Sequence, residues 1–144
     1  MKSVKQLLGA NPSHAPVCVA ANAMVIDALK LMAERNIGSV LVMDGDRLLG
    51  VFGERDFIRK VTLMNRDPAK TRLGEIVDEK VFYVTPDYKL DEVMALMTEK
   101  RMRHVPVLDA RGELLGIVSI GDIVKDIISE QAFEIEQLER YITS

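Results

Sequence analysis

The stretch VCVAANAMVIDALKLMAERNIGSVLVMDGDRLLGVFGERDFIRKV, residues 17–61, is written a second time as VFYVTPDYKLDEVMALMTEKRMRHVPVLDARGELLGIVSIGDIVKDI, residues 81–127. Val19 aligns with Val84, Leu31 with Leu96, Met32 with Met97, Glu34 with Glu99 and Val40 with Val105. One extra residue in the later turn shifts the register, after which Leu49 matches Leu115, Gly50 matches Gly116 and Asp56 matches Asp122. A unit of this length is too long for a solenoid repeat and too short to bury a comfortable core alone. The duplication therefore predicts two half-domains packed face to face, with any ligand site between them.

Each copy parses by periodicity. Val17 to Val19 alternates as a short strand, and Val25, Ala28, Leu29, Met32 and Ala33 make the i, i+3, i+4 stripe of an amphipathic helix. Asn36-Ile37-Gly38 ends that helix, with Gly38 placed for a left-handed cap. Ser39 to Met43 and Leu48 to Phe52 read as strands around the hairpin turn Asp44-Gly45-Asp46, and a helix follows from Asp56 to about Leu63. In the second copy Val81 to Val84 is a strand and Thr85-Pro86-Asp87 opens a helix striped by Leu90, Val93, Met94 and Met97. Strands Val105 to Leu108 and Leu114 to Ser119 flank the turn Asp109-Ala110-Arg111-Gly112, and a helix starts near Asp122. The fold class is α+β: two β-α-β-β-α repeats related by a pseudo-two-fold, in one module with a C-terminal helix. Residues 1–64 hold the first repeat, 65–72 an exposed polar linker, 73–128 the second repeat and 129–144 the amphipathic tail. Leu73 to Val77 resembles Val4 to Leu8, so each half begins with a short leading helix. The tail carries Ile128, Gln131, Ile135, Leu138 and Ile142 at helical spacing, a stripe that either folds back on its own core or packs on a second subunit.

Composition narrows the function classes. The 144 residues are 48% apolar and 28% charged, with a net charge of −3, which gives no global case for nucleic acid or an anionic membrane. No apolar run approaches the roughly 18 residues of a membrane span, and MKSVKQLLGANPSH lacks the apolar stretch of a secretory signal. A single cysteine, Cys18, excludes an internal disulfide and, with no CxxC, gives no zinc-type cluster. A cytoplasmic protein fits these features. The eight methionines read as core filling, and Cys18 as a small buried hydrophobe.

The strongest chemical signal is GIVSIGD, Gly116 to Asp122, at a strand-to-helix junction. With Ser119 as N-cap, its hydroxyl and the following backbone N–H groups sit at the positive end of a helix, which suits a phosphate. Asp122 in the first turn repels phosphate but accepts hydrogen bonds from the two hydroxyls of a ribose. Ser-x-x-Asp before an apolar run is equally a plain capping box. The first copy reads GVFGERD, where Gly53 stands in place of the serine, Asp56 is kept, and Arg55 offers a charge to a phosphate.

In this arrangement the chain resembles a tandem pair of cystathionine-β-synthase (CBS) domains, the Bateman module, over almost its whole length. The β-α-β-β-α repeat, the strand RHVPVLD (Arg103 to Asp109) and the Gly-apolar-apolar-Ser-x-x-Asp junction carry the likeness. The resemblance implies adenosine derivatives bound in clefts between the repeats: AMP first, with ADP, ATP, NAD or S-adenosylmethionine as alternatives. It implies that Ser119 contacts phosphate and Asp122 ribose, with Arg103, His104, Val105 and Pro106 lining base and phosphate. In the first site it implies Asp56 as ribose ligand, with Gly38, Ser39 and Val40 at the strand entrance. Gly53 departs from the pattern there. The resemblance further implies a homodimer and a regulatory, signal-transducing role exerted in trans on a separate protein.

Other residues argue for less. His14 reads as a solvent-facing loop residue, and Arg59, Lys60, Arg66, Lys70 and Arg72 form a loose basic patch, a solvated face unless it meets a ligand phosphate or an RNA. No Ser/His/Asp or Cys/His constellation and no paired acids support catalysis, so an enzyme is not expected. A constitutive assembly protein with vestigial pockets stays open as the alternative to a nucleotide-responsive regulator.

Overall fold

The computed structural model describes residues 2–10, 16–77 and 81–143; His14 lies outside them. The chain runs through α1 (Val4–Ala10), β1 (Cys18–Ala20), α2 (Val25–Arg35), β2 (Ser39–Asp44), β3 (Arg47–Gly53) and α3 (Glu54–Asp56). It continues through a π-type turn (Phe57–Thr62), a 3-10 turn (Leu73–Glu75), α4 (Leu90–Lys100), β4 (His104–Leu108), β5 (Leu114–Ser119) and α5 (Ile120–Thr143). This is the α+β duplication that the repeat predicts.

The two halves share one hairpin register. β1 runs parallel to β2, pairing Val19 with Val42, and β2 is antiparallel to β3. In the second half β4 is antiparallel to β5, and both hairpins slip register at matching places, between Val42 and Met43 and between Val107 and Leu108. The strand expected over Val81 to Val84 is reduced to one parallel bridge, Val84 to Val107, the counterpart of Val19 to Val42. The turn at Thr85-Pro86-Asp87 does not open α4: Thr85 Oγ1 donates to the Asp87 carboxylate, and α4 begins at Leu90, where the Lys89 N–H donates to Glu92 at 3.1 Å. Left-handed caps also differ from expectation. Asn36 (φ 52°) and Arg101 (φ 55°), not Gly38, end α2 and α4. An Asn tolerates that region; for Arg101 the strain of about 1 kcal/mol or more is borne by the turn into β4.

Two cores form, and the chain crosses between them. One gathers Val25, Ala28, Met32, Val40, Val42, Phe52 and Val61 of the first repeat together with Leu73 and Ile76. The other gathers Val84, Leu90, Val93, Met97, Val105, Val107, Val118 and Ile123 together with Val4 and Leu7. Each leading segment thus completes the other repeat. The backbone repeats the exchange: Val4 N–H donates to Tyr88 O at 2.8 Å and Leu90 N–H to Lys2 O at 3.0 Å, while Leu73 N–H donates to Ala23 O at 3.0 Å and Val25 N–H to Thr71 O at 2.8 Å. The 65–72 stretch is consequently less loose than its composition predicts, with Thr71 6% exposed and bonded to Asp67 O.

Three further readings change. Cys18 is exposed, because strand alternation turns Val19 toward the core and Cys18 and Ala20 outward on an edge strand. Met32 and Met97 fill the cores, but Met64 is 65% exposed. The tail is no separate element: α5 is continuous for 24 residues from the site junction to Thr143. Its outer part does not fold back, since Phe133, Ile135, Leu138, Tyr141 and Ile142 are all more than half exposed. No helix among the described residues is long and apolar enough to cross a membrane.

Candidate functional site

Both strand-to-helix junctions are built the same way. At the second, the Ser119 N–H donates to Asp122 Oδ2 at 3.2 Å and the Asp122 N–H donates to Ser119 Oγ at 3.1 Å, a reciprocal capping box. At the first, the Gly53 N–H donates to Asp56 Oδ2 at 2.8 Å, the half of that box a glycine leaves possible. Each junction is stitched to the strand entrance of its own repeat, by Ile120 N–H to Arg103 O at 2.9 Å and by Glu54 N–H to Gly38 O at 3.3 Å. A Cβ on Gly53 would meet that Gly38 oxygen at 3.3 Å, a tight contact that the glycine removes. The cap bond engages one oxygen of each carboxylate, and at Asp56 the other, Oδ1, lies 3.7 Å from Lys60 Nζ.

A cavity of about 490 Å³ opens between the repeats at the first junction. Its walls take Gly53, Glu54, Arg55, Asp56 and Arg59 from one side, Gly38 and Ser39 from the entrance of β2, and Val81, Phe82 and Lys100 to His104 from the second repeat. The strand entrances of both repeats therefore meet in one space. Five lining residues are cationic (Arg55, Arg59, Lys100, Arg101 and Arg103) against the acids Glu54 and Asp56, so the cleft attracts anions despite the negative net charge of the chain. Asp56 is also tied to Lys60 at 3.7 Å, and Lys100 Nζ lies 4.7 Å from the centroid of the Phe82 ring.

The expected site residues separate into three groups. Gly38, Ser39, Gly53, Arg55, Asp56, Arg103 and His104 all line the cavity. Ser119 and Asp122 lie at the pseudo-symmetric junction, linked to the cavity through His104, which pairs with Ser119 across β4 and β5. Val40, Val105 and Pro106 are buried, Val40 and Val105 in the two cores, so their contribution to any ligand is backbone. Sequence reading missed Phe82, Lys100 and Arg101. The available signal was the duplication itself: Lys100 and Arg101 occupy the places of Arg35 and Asn36, directly before an entrance already singled out.

His104 is half-buried at the centre of this arrangement. Burial is the main cause that lowers its pKa from the ordinary value; the Arg103 charge lowers it further, while Asp122 and Glu54 pull it back up. The fold therefore favours the neutral imidazole of His104. As pH falls through the ordinary value of 6.5 toward the lowered one, the unfolded chain takes up the proton first, so this contribution to stability is lost on acidification. Melting temperature is expected to fall as pH drops through 6.5 and below, and His104→Asn should flatten that slope. A slope unchanged in the variant would assign it to other groups.

Among the described residues no group of three or more His, Cys, Asp or Glu could hold a metal ion. Comparison with known proteins bears on the rest. The family profile of the CBS domain matches residues 4–63 and 73–129. A candidate signal-transduction protein with CBS domains from Burkholderia ambifaria MC40-6 is 51% identical, with a TM-score of 0.85 over 90% of this chain and 96% of that one. The mitochondrial CBS domain-containing protein CBSX3 of Arabidopsis thaliana is 38% identical over 123 residues, 82% of this chain; the match spans only 59% of that relative's length. A structure of CBSX2 in complex with AMP shares the fold at 23% identity, with a TM-score of 0.76 over 91% of this chain and 99% of that one.

Proposed function

This chain belongs to the CBS-domain family, and on that premise we propose that it is a regulatory module which binds an adenine nucleotide between its repeats. The observation that carries the reading is the composite cavity: an anion-attracting cleft with a ribose-competent carboxylate, Asp56, at its junction and the entrances of both repeats in its walls. Its volume of about 490 Å³ falls in the usual range for small-molecule sites, roughly 300–1,000 Å³. In this reading Asp56 accepts from the ribose hydroxyls, and Arg55 and Arg103 meet the phosphate beside Gly53. Ser119 and Asp122 take the corresponding roles at the second junction. AMP is the first candidate ligand, supported by the CBSX2–AMP complex; ADP, ATP, NAD and S-adenosylmethionine offer the same ribose and base. A ligand held by both repeats biases their relative orientation if it binds one arrangement more tightly than the other. The output then passes in trans to a separate protein, from a cytoplasmic homodimer.

A panel of AMP, ADP, ATP, NAD and S-adenosylmethionine in a thermal-shift assay tests this. At a hundredfold excess over Kd a ligand that binds only the folded state adds about 2.7 kcal/mol, or roughly 5–10 °C at this size. A shift of that size by one or more of these ligands is the expected result. No shift from any of them leaves the second reading, an assembly protein with vestigial pockets, which the exposed stripe of α5 favours.

A further inference from the structure

One imidazole stands where the two halves of the cleft meet. His104 opens β4, half-buried, and lines the cavity together with the entrance of β2. Burial holds its ring toward the neutral form. Asp122 at the second junction favours the imidazolium, the adjacent Arg103 charge opposes it, and Glu54 at the first junction favours it again. A carboxylate from each repeat therefore acts on the same ring. Arg55 and Arg59 of the first repeat, with Lys100 and Arg101 at the end of α4, line the same cavity and add positive potential to it. Opposed groups of this kind leave a balance that a bound anion tips. A phosphate monoester brings about two negative charges at neutral pH and offsets those cations. It also accepts charge-assisted hydrogen bonds, and only the imidazolium can donate from both ring nitrogens.

We infer, resting on the nucleotide reading above, that the cleft takes up a phosphate-bearing nucleotide together with one proton from solvent, held on His104, so that binding tightens on acidification. The sign follows from linkage: a ligand that favours the imidazolium is itself favoured by protons. One linked proton changes affinity by at most about tenfold per pH unit. The window lies around and below the ordinary histidine value of 6.5, because the fold without nucleotide favours the neutral ring. The same coupling separates ligand classes. S-adenosylmethionine carries a sulfonium cation and no phosphate, so its binding takes up no proton at His104. A module built this way reads nucleotide and acidity together, and answers most strongly when both rise.

Titration calorimetry of the full chain with AMP and with ATP, at about pH 7.5 and 5.5, tests the coupling. Two buffers of different ionisation enthalpy count the protons taken up. The nucleotide phosphate titrates in the same range, with a second pKa of about 6, so the readout is the difference between wild type and His104→Asn. The fall in Kd from the higher to the lower pH should be about three- to tenfold larger in wild type. Wild type should also take up more protons per nucleotide bound. Imidazole NMR is the second measurement. The chain has two histidines, so the signal missing from His104→Asn identifies the ring, and saturating AMP should move its titration midpoint to higher pH in wild type. Far-UV circular dichroism checks that the variant is folded. Equal pH ratios in the two proteins, or a midpoint that AMP fails to raise, overturns the inference while nucleotide binding stands. If neither nucleotide binds at either pH, the nucleotide reading falls first and the proton coupling with it.

Discussion

Val4→Asp is expected to melt the second repeat, although Val4 precedes the whole of the first. Val4 is fully buried in the core that holds Leu90, Val93, Val105 and Ile123. An aspartate there finds apolar neighbours, and its choice is to stay charged without a partner or to neutralise by taking up a proton. Together with the lost burial of a valine, the cost is about 3–5 kcal/mol, or roughly 6–20 °C in melting temperature. Lys5→Asp, one residue along on the exposed side of α1, is the control and should change stability by no more than about 0.5 kcal/mol. Amide exchange locates the damage. Protection should fall first in α4, β4 and β5, and later in α2, β2 and β3. If the loss begins in the first repeat, or if the two variants behave alike, the crossed packing of the leading segments is wrong.

The same crossing marks the limit of what the sequence discloses. Duplication, strand order and the two junctions are legible because each is a local pattern: period two in the strands, period 3.6 in the helices, turn residues at Gly45 (φ 59°) and Gly112 (φ 80°). The exchange of α1 and the Leu73–Glu75 turn between cores is not local. Val4 and Leu73 read alike, and nothing in either segment says which core lacks a wall. The ion pair between Lys2 and Asp126, at 2.7 Å with Asp126 8% exposed, is invisible for the same reason. It fastens the leader to α5 across almost the full chain. Cys18 misleads differently, since β-propensity fixes a strand but not which face of an edge strand meets the core.

The candidate site was legible in proportion to its dependence on the repeat. Asp56 and Asp122 stand out because they recur, and Gly53 stands out because it breaks the recurrence. The cationic wall from Lys100 to Arg103 does not recur: its first-repeat counterpart reads Arg35-Asn36-Ile37-Gly38. That difference bears on how the two junctions divide their work. The junction without the serine hydroxyl faces the wall richer in positive charge, so on the proposed reading charge would take there the phosphate role assigned to the Ser119 hydroxyl.

Asp56→Asn is the substitution that tests this division most directly. The amide oxygen of asparagine can still accept the Gly53 N–H, so the cap survives and stability should change by less than about 1 kcal/mol. What is lost is a charged acceptor for a ribose diol, an interaction of about 1.5–3 kcal/mol, so nucleotide affinity should fall roughly 10–150-fold. The 2′-deoxy form of the same nucleotide separates this role from a general electrostatic one. Wild type should bind the deoxy ligand more weakly by a comparable factor, while Asp56→Asn should scarcely distinguish the two, because the partner of the missing hydroxyl is already gone. Equal losses for both ligands would make Asp56 a structural cap that only shapes the cleft. Asp122→Asn, measured the same way, reads the second junction. If it alone abolishes the discrimination, the ribose lies against Ser119 and Asp122, and the cationic cleft at Asp56 serves the phosphates. If each variant removes one class of site by titration calorimetry, both junctions bind, and the pseudo-two-fold of the fold is also the symmetry of its ligands.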